Sequence, residues 1–127
     1  MWALCCYTLP KSGRGIHTWY DGLDGDIRAA IDAALENLAE ETNWDDLPQF
    51  SRLRGKCRGL SEIEVDVGKR QFRILGFDGP ARGQFTLLLG FEKTRGSIDF
   101  VPACSTALHR KRGVIRDARR AAPCQFP

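Results

Sequence analysis

The chain has 127 residues, 43% hydrophobic and 28% charged, with a formal net charge of +3. That length suits one domain burying about two-thirds of its unfolded surface around a single core, and a second domain is not expected. No apolar stretch approaches the roughly 18 residues of a membrane-spanning helix, and a soluble protein is expected. The opening residues, MWALCCYTLPK, carry neither the basic region nor the long apolar core of a secretory signal, and the expected location is the cytoplasm.

Trp2 to Tyr7 is a short apolar run closed by the Pro/Gly/Ser-containing stretch Thr8 to Gly15, the pattern of an N-terminal strand. A short helix is expected around Gly15 to Tyr20. From Asp24 the period changes: Ile27, Ala30, Ile31, Ala34, Leu35 and Leu38 recur at steps of three and four, with Arg28, Asp32, Glu36 and Glu40 on the other face. This spacing predicts an amphipathic helix of roughly 16 residues, started by Asp24 and Asp26. Asn43 to Gly59 reads as a polar loop. Three strands follow at hairpin distances, Ser61 to Val67, Gln71 to Phe77 and Gln84 to Glu92, forming an antiparallel meander. After Pro102, Ser105 to Ala121 has helical spacing, with Leu108, Ile115 and Ala118 on one side and His109, Arg112, Arg116 and Arg119 on another. The expected class is α+β, with one sheet face covered by helices and the other more open.

Charge is unevenly spread. Residues 1–51 hold three basic and nine acidic side chains, whereas residues 52–127 hold sixteen basic and seven acidic. The second part is where a polyanion would bind, since clustered Lys and Arg gain affinity by releasing phosphate counterions. The five cysteines, Cys5, Cys6, Cys57, Cys104 and Cys124, show no C-x-x-C spacing. They are expected as buried free thiols in a reducing compartment, with no metal site and no cofactor.

The segment LRGKCRGLSEIEVDVGKRQFRILGFDGPARGQFTLLLGFEK, Leu53 to Lys93, contains Gly59-Leu60, Glu62-Ile63 and Val65 ahead of a turn, and then Phe72-Arg73-Ile74-Leu75-Gly76-Phe77, Gly79-Pro80, Arg82-Gly83 and Phe85-Thr86-Leu87-Leu88. It resembles the phage-associated HigB-like branch of the RelE/ParE toxin superfamily, over about a third of the chain. The resemblance implies a RelE-like, microbial-RNase-type α+β fold: an N-terminal strand, two helices, a three-strand meander and a C-terminal helix. It implies the toxin of a type II toxin–antitoxin pair, held inactive by a cognate antitoxin, expected to be of helix-turn-helix type. Many relatives cleave mRNA on the ribosome without a metal, whereas the ParE branch acts on DNA gyrase. A phage accessory protein keeping the fold without toxicity is the third alternative.

Metal-free RNA cleavage needs a base for the ribose 2′-OH, fixed positive charge on the phosphate and a donor for the leaving oxygen. Arg73, inside an otherwise apolar strand, matches the arginine that RNA-cleaving relatives place against the scissile phosphate. The alternative reading makes it a cross-strand ion-pair partner of Glu62 or Glu64. Glu62 and Glu64 share one strand face and are general-base candidates, although relatives often carry basic residues there. Lys93 matches the family's basic residue beside the cleft, with Arg95 assisting. His109 is the nearest imidazole for a general acid, in the absence of the Tyr or His that several relatives bring to the end of the sheet. Arg54, Lys56, Arg58, Lys69, Arg70 and Arg82 are expected to track an RNA backbone, together with Arg95.

Overall fold

The computed structural model describes residues 2–94 and 100–124. Its architecture is α+β: three helices and a six-stranded mixed sheet. The N-terminal strand β1 (Ala3–Tyr7) leads into α1 (Ile16–Asp21) and α2 (Gly25–Glu40). The strands β2 (Phe50–Arg52), β3 (Ser61–Val67), β4 (Arg70–Asp78) and β5 (Gln84–Lys93) follow, then α3 (Phe100–Arg116) and the short β6 (Ala121–Pro123). Strand order is β2-β3-β4-β5-β1-β6, with β1 parallel to β5 and every other pairing antiparallel.

The α2 stripe does what its spacing predicts. Ile27, Ile31, Leu35 and Leu38 are buried against one face of the sheet, where Ile63, Val65, Phe72, Ile74, Phe85 and Leu87 meet them. Each fully enclosed side chain of this kind stabilises the fold by about 1.5–3 kcal/mol. Asp24 precedes the helix without a side-chain capping bond, and Asp26 in the first turn complements the helix dipole. The Tyr20 hydroxyl donates to both oxygens of Asp32, at 2.7 and 2.9 Å, tying α1 to α2. Burial first, and then the Asp32 carboxylate, push the Tyr20 phenol up to about 12. The ring of Trp19 lies directly over Gly90 of β5, where any Cβ would collide with it.

The opposite face carries a second, smaller core beneath α3. Leu75, Phe77 and Leu88 of the sheet pack there against Ala103, Cys104, Ala107 and Val114. A bulge in β5 makes this docking possible: Leu75 pairs with Leu89 and Gly76 with Leu87, and Arg110 Nη1 donates to the Leu88 carbonyl left between them, at 2.8 Å. The expectation of one more open face is thus corrected over the part of the sheet that α3 covers.

Other expectations also change. The meander lies within a six-stranded sheet, extended by β2 beside β3 and, on the other side, by β1 beside β5 with β6 beyond it. The Asn43–Gly59 loop contains β2 and two 3-10 turns, Trp44–Asp46 and Gly55–Cys57. The last helix starts at Phe100, with Pro102 in its first turn where a missing N–H breaks no bond, and it ends at Arg116. His109 therefore lies mid-helix. Four of the five cysteines, expected as free thiols, are paired: Cys6 with Cys124 and Cys57 with Cys104, at Cα separations of 4.9 and 5.3 Å. The topology brings together residues far apart in sequence, β6 beside β1 and the Gly55–Cys57 turn beneath α3. Cys5 is free and buried, and burial raises its thiol above the ordinary value. None of the described helices is long and apolar enough to cross a membrane.

Candidate functional site

Strand alternation decides which groups meet. On β3, Ile63 and Val65 face the α2 core, so Glu62, Glu64 and Asp66 project to the other side, where Arg73 of β4 and Lys93 of β5 also lie. Glu64 is the direct cross-strand neighbour of Arg73, and Gln71 is that of Lys93. The strand pairing thus brings four of the sequence-derived candidates, Glu62, Glu64, Arg73 and Lys93, to one face of the sheet.

Arg73 is only 4% exposed. Its Nη1 donates to Asp66 Oδ1 at 3.1 Å and to the Phe72 carbonyl at 2.9 Å. Its Nε lies 3.8 Å from Glu62 and 3.9 Å from Glu64, too far for a hydrogen bond, and is a buried donor without a partner among the described residues. One guanidinium is therefore surrounded by three carboxylates. Glu62 is itself buried, whereas the side chains of Glu64 and Asp66 retain 37% and 56% of their exposure. Desolvation raises the Glu62 carboxyl above its ordinary value. Arg73 and Lys93 pull it down, the charge of Glu64 and a hydrogen bond shared with that residue push it up, and burial prevails. Lys93 is the last residue of β5 and is exposed. Chemically, the cluster can hold a proton on Glu62 more readily than an ordinary surface carboxylate. Its buried guanidinium is not bare positive charge.

The remaining candidates do not join this cluster. His109 is exposed on α3, some 200° around the helix from buried Ala107 and so turned away from the sheet. Arg70 lies on the other sheet face, forked onto Glu92 at 2.8 and 2.9 Å and 3.9 Å from Asp24, an arrangement that lowers the Glu92 carboxyl. Arg54, Lys56 and Arg58 are exposed around the Gly55–Cys57 turn and Arg82 in the β4–β5 loop, all at the Asp78 end of the meander. Lys69 is exposed in the β3–β4 turn at the opposite end. Arg95 lies outside the described residues. The expected track of cations along one nucleic-acid path is thus divided between the two ends of a nine-residue strand, roughly 26 Å apart.

Two contributors were missed in the sequence. Asp66, the third carboxylate on Arg73, was available from the same two-residue alternation that groups Glu62 with Glu64. Phe91, opposite Arg73 on β5, stacks edge-on with Phe100 of α3 at 6.1 Å between ring centroids. Only the position of α3 reveals that pair.

No protein-family model, no curated protein and no solved structure matches the chain.

Proposed function

We propose that this chain is the toxin of a type II toxin–antitoxin pair, with the fold of the RelE/ParE superfamily, and that it inhibits growth by binding its target rather than by cleaving RNA at Arg73. The family part of the reading rests on the Leu53–Lys93 motif, and the succession of strand, two helices, meander and helix is in keeping with it. A cognate antitoxin and a cytoplasmic target, DNA gyrase being the ParE-type example, belong to this reading. The observation that carries its second half is the burial of Arg73 among Glu62, Glu64 and Asp66. A phosphate clamp needs accessible, uncompensated positive charge, because the group it stabilises gains negative charge in the transition state. Here the guanidinium is compensated and sealed, and an approaching phosphate meets carboxylates first.

One observation favours a second reading, the ribosome-dependent mRNA endonuclease. The raised Glu62 carboxyl and the exposed Lys93 act on the same face, and a protonated Glu62 could serve as general acid beside a lysine on the phosphate. The two readings separate on induced expression in bacteria. Binding predicts slowed growth, relieved by the antitoxin, with no new 5′ ends in cellular mRNA. Discrete new 5′ ends within codons support the endonuclease, and unimpaired growth at high soluble expression contradicts both.

A further inference from the structure

A different part of the molecule carries an inference independent of the toxin reading. Val101, Leu108 and Ile115 stand seven residues apart on α3, so they form one line along the helix flank, about 21 Å long. The line runs between the buried face of the helix and its solvent face. Val101 is 50% and Ile115 65% exposed, two of the three large hydrophobic side chains so exposed among the described residues. Beside the line, a cleft of about 370 Å³ opens between α3 and the Gly55–Cys57 turn, lined by Lys56, Val101, Ser105, Leu108 and Arg112.

Charge flanks the stripe on both sides. Lys56 forms one wall of the cleft, and Arg112 and Arg116 follow at helical spacing on the other. Arg52, Arg70, Arg73 and Arg119 each lie within 4.0 Å of a carboxylate, whereas Lys56, Arg112 and Arg116 have no such partner among the described residues. The Cys57–Cys104 bridge fixes the turn to the helix, so the walls are held at a set width.

We propose that this groove binds an acidic amphipathic α-helix of another polypeptide. Three apolar residues at heptad spacing match the apolar edge of a single helix laid alongside, and unpaired cations on both sides match acidic residues flanking that edge. Nucleic acid fits less well, since its backbone offers nothing to an aliphatic line of this length.

The test uses the purified full chain and a synthetic 21-residue helical peptide with leucines at heptad spacing flanked by glutamates. Two control peptides accompany it: one of the same composition with the leucines scattered, and one with lysines in place of the glutamates. The groove predicts saturable one-to-one binding of the first peptide by fluorescence anisotropy, at least tenfold tighter than either control. The double substitution Val101→Ser/Ile115→Ser should weaken binding at least tenfold without lowering the melting temperature, as both side chains are at least half exposed. Arg112→Glu/Arg116→Glu should abolish binding of the acidic peptide and transfer preference to the lysine peptide. Equal binding of the scattered-leucine peptide overturns the proposal, as does displacement of the acidic peptide by an equal concentration of single-stranded RNA. Dimerisation of the chain through this face, seen as loss of a sedimentation dimer in Val101→Ser/Ile115→Ser, likewise overturns it.

Discussion

Arg73→Ala removes the one cation within 4.0 Å of Glu62 among the described residues, and the loss can be sized from the geometry. At an effective dielectric constant near 20, opposite unit charges 3.8 Å apart attract by about 4 kcal/mol. Part of that offsets the desolvation of the guanidinium. The interactions with Glu64 and Asp66 must be discounted further, because both side chains are more than a third exposed and solvent screens them. What remains is an enclosed Glu62 without its counter-ion, for a net destabilisation of about 3 kcal/mol. In a domain of this size that lowers the melting temperature by roughly 10 °C. Glu62→Gln/Arg73→Met removes both charges at similar volume, and should recover most of the loss, as replacements of buried pairs by neutral groups often do. Calorimetry or circular dichroism on the two variants reads both values. An Arg73→Ala protein melting within about 2 °C of wild type would refute the assignment of Arg73 as an internal counter-ion.

The raised Glu62 carboxyl means that the folded state holds this proton more tightly than the unfolded chain, so its contribution to stability is greatest below the ordinary value of 4.5 and declines as pH rises through the folded value. Glu92 and Asp117, both lowered, act in the opposite sense, and the difference between wild type and Glu62→Gln isolates the Glu62 slope; an identical pH profile for the two proteins would show that Glu62 is not perturbed. Gly90→Ala forces a methyl group into the Trp19 ring and should destabilise by about 1–3 kcal/mol in urea unfolding, whereas no change would mean α1 does not sit on β5 as described. Closing 47 residues, the Cys57–Cys104 bridge should stabilise by up to about 4 kcal/mol in the chain-entropy picture, so Cys57→Ser/Cys104→Ser lowers the denaturant midpoint. A cytoplasmic toxin must nevertheless stay folded with its thiols reduced, and unfolding at 37 °C in excess dithiothreitol would contradict that location.

The long periodic segments were legible because local pattern and burial agree. The 16-residue α2 and the strand β3 stand where their spacing puts them, and β4 and β5 differ only at their ends. The three-residue strands β2 and β6 were not legible, since each exists only by pairing with a neighbour and carries no periodicity of its own. The parallel pairing of β1 with β5 and the two disulfides depend on how the chain returns after α3, which no local signal encodes. At the candidate site, alternation alone placed Arg73 with Glu62 and Glu64. Whether Arg73 is open or enclosed depended on the depth of the sheet face and on Asp66, both outcomes of packing.

The central claim is that Arg73 works inside the fold and not on a substrate. The most direct measurement is growth inhibition by Glu62→Gln/Arg73→Met, expressed in bacteria at the same soluble level as wild type and shown to be folded by its thermal transition. The account predicts that inhibition by this variant equals that of wild type, with cellular mRNA uncut in both. A folded variant that has lost inhibition, beside a wild type that leaves discrete new 5′ ends in mRNA, would contradict it.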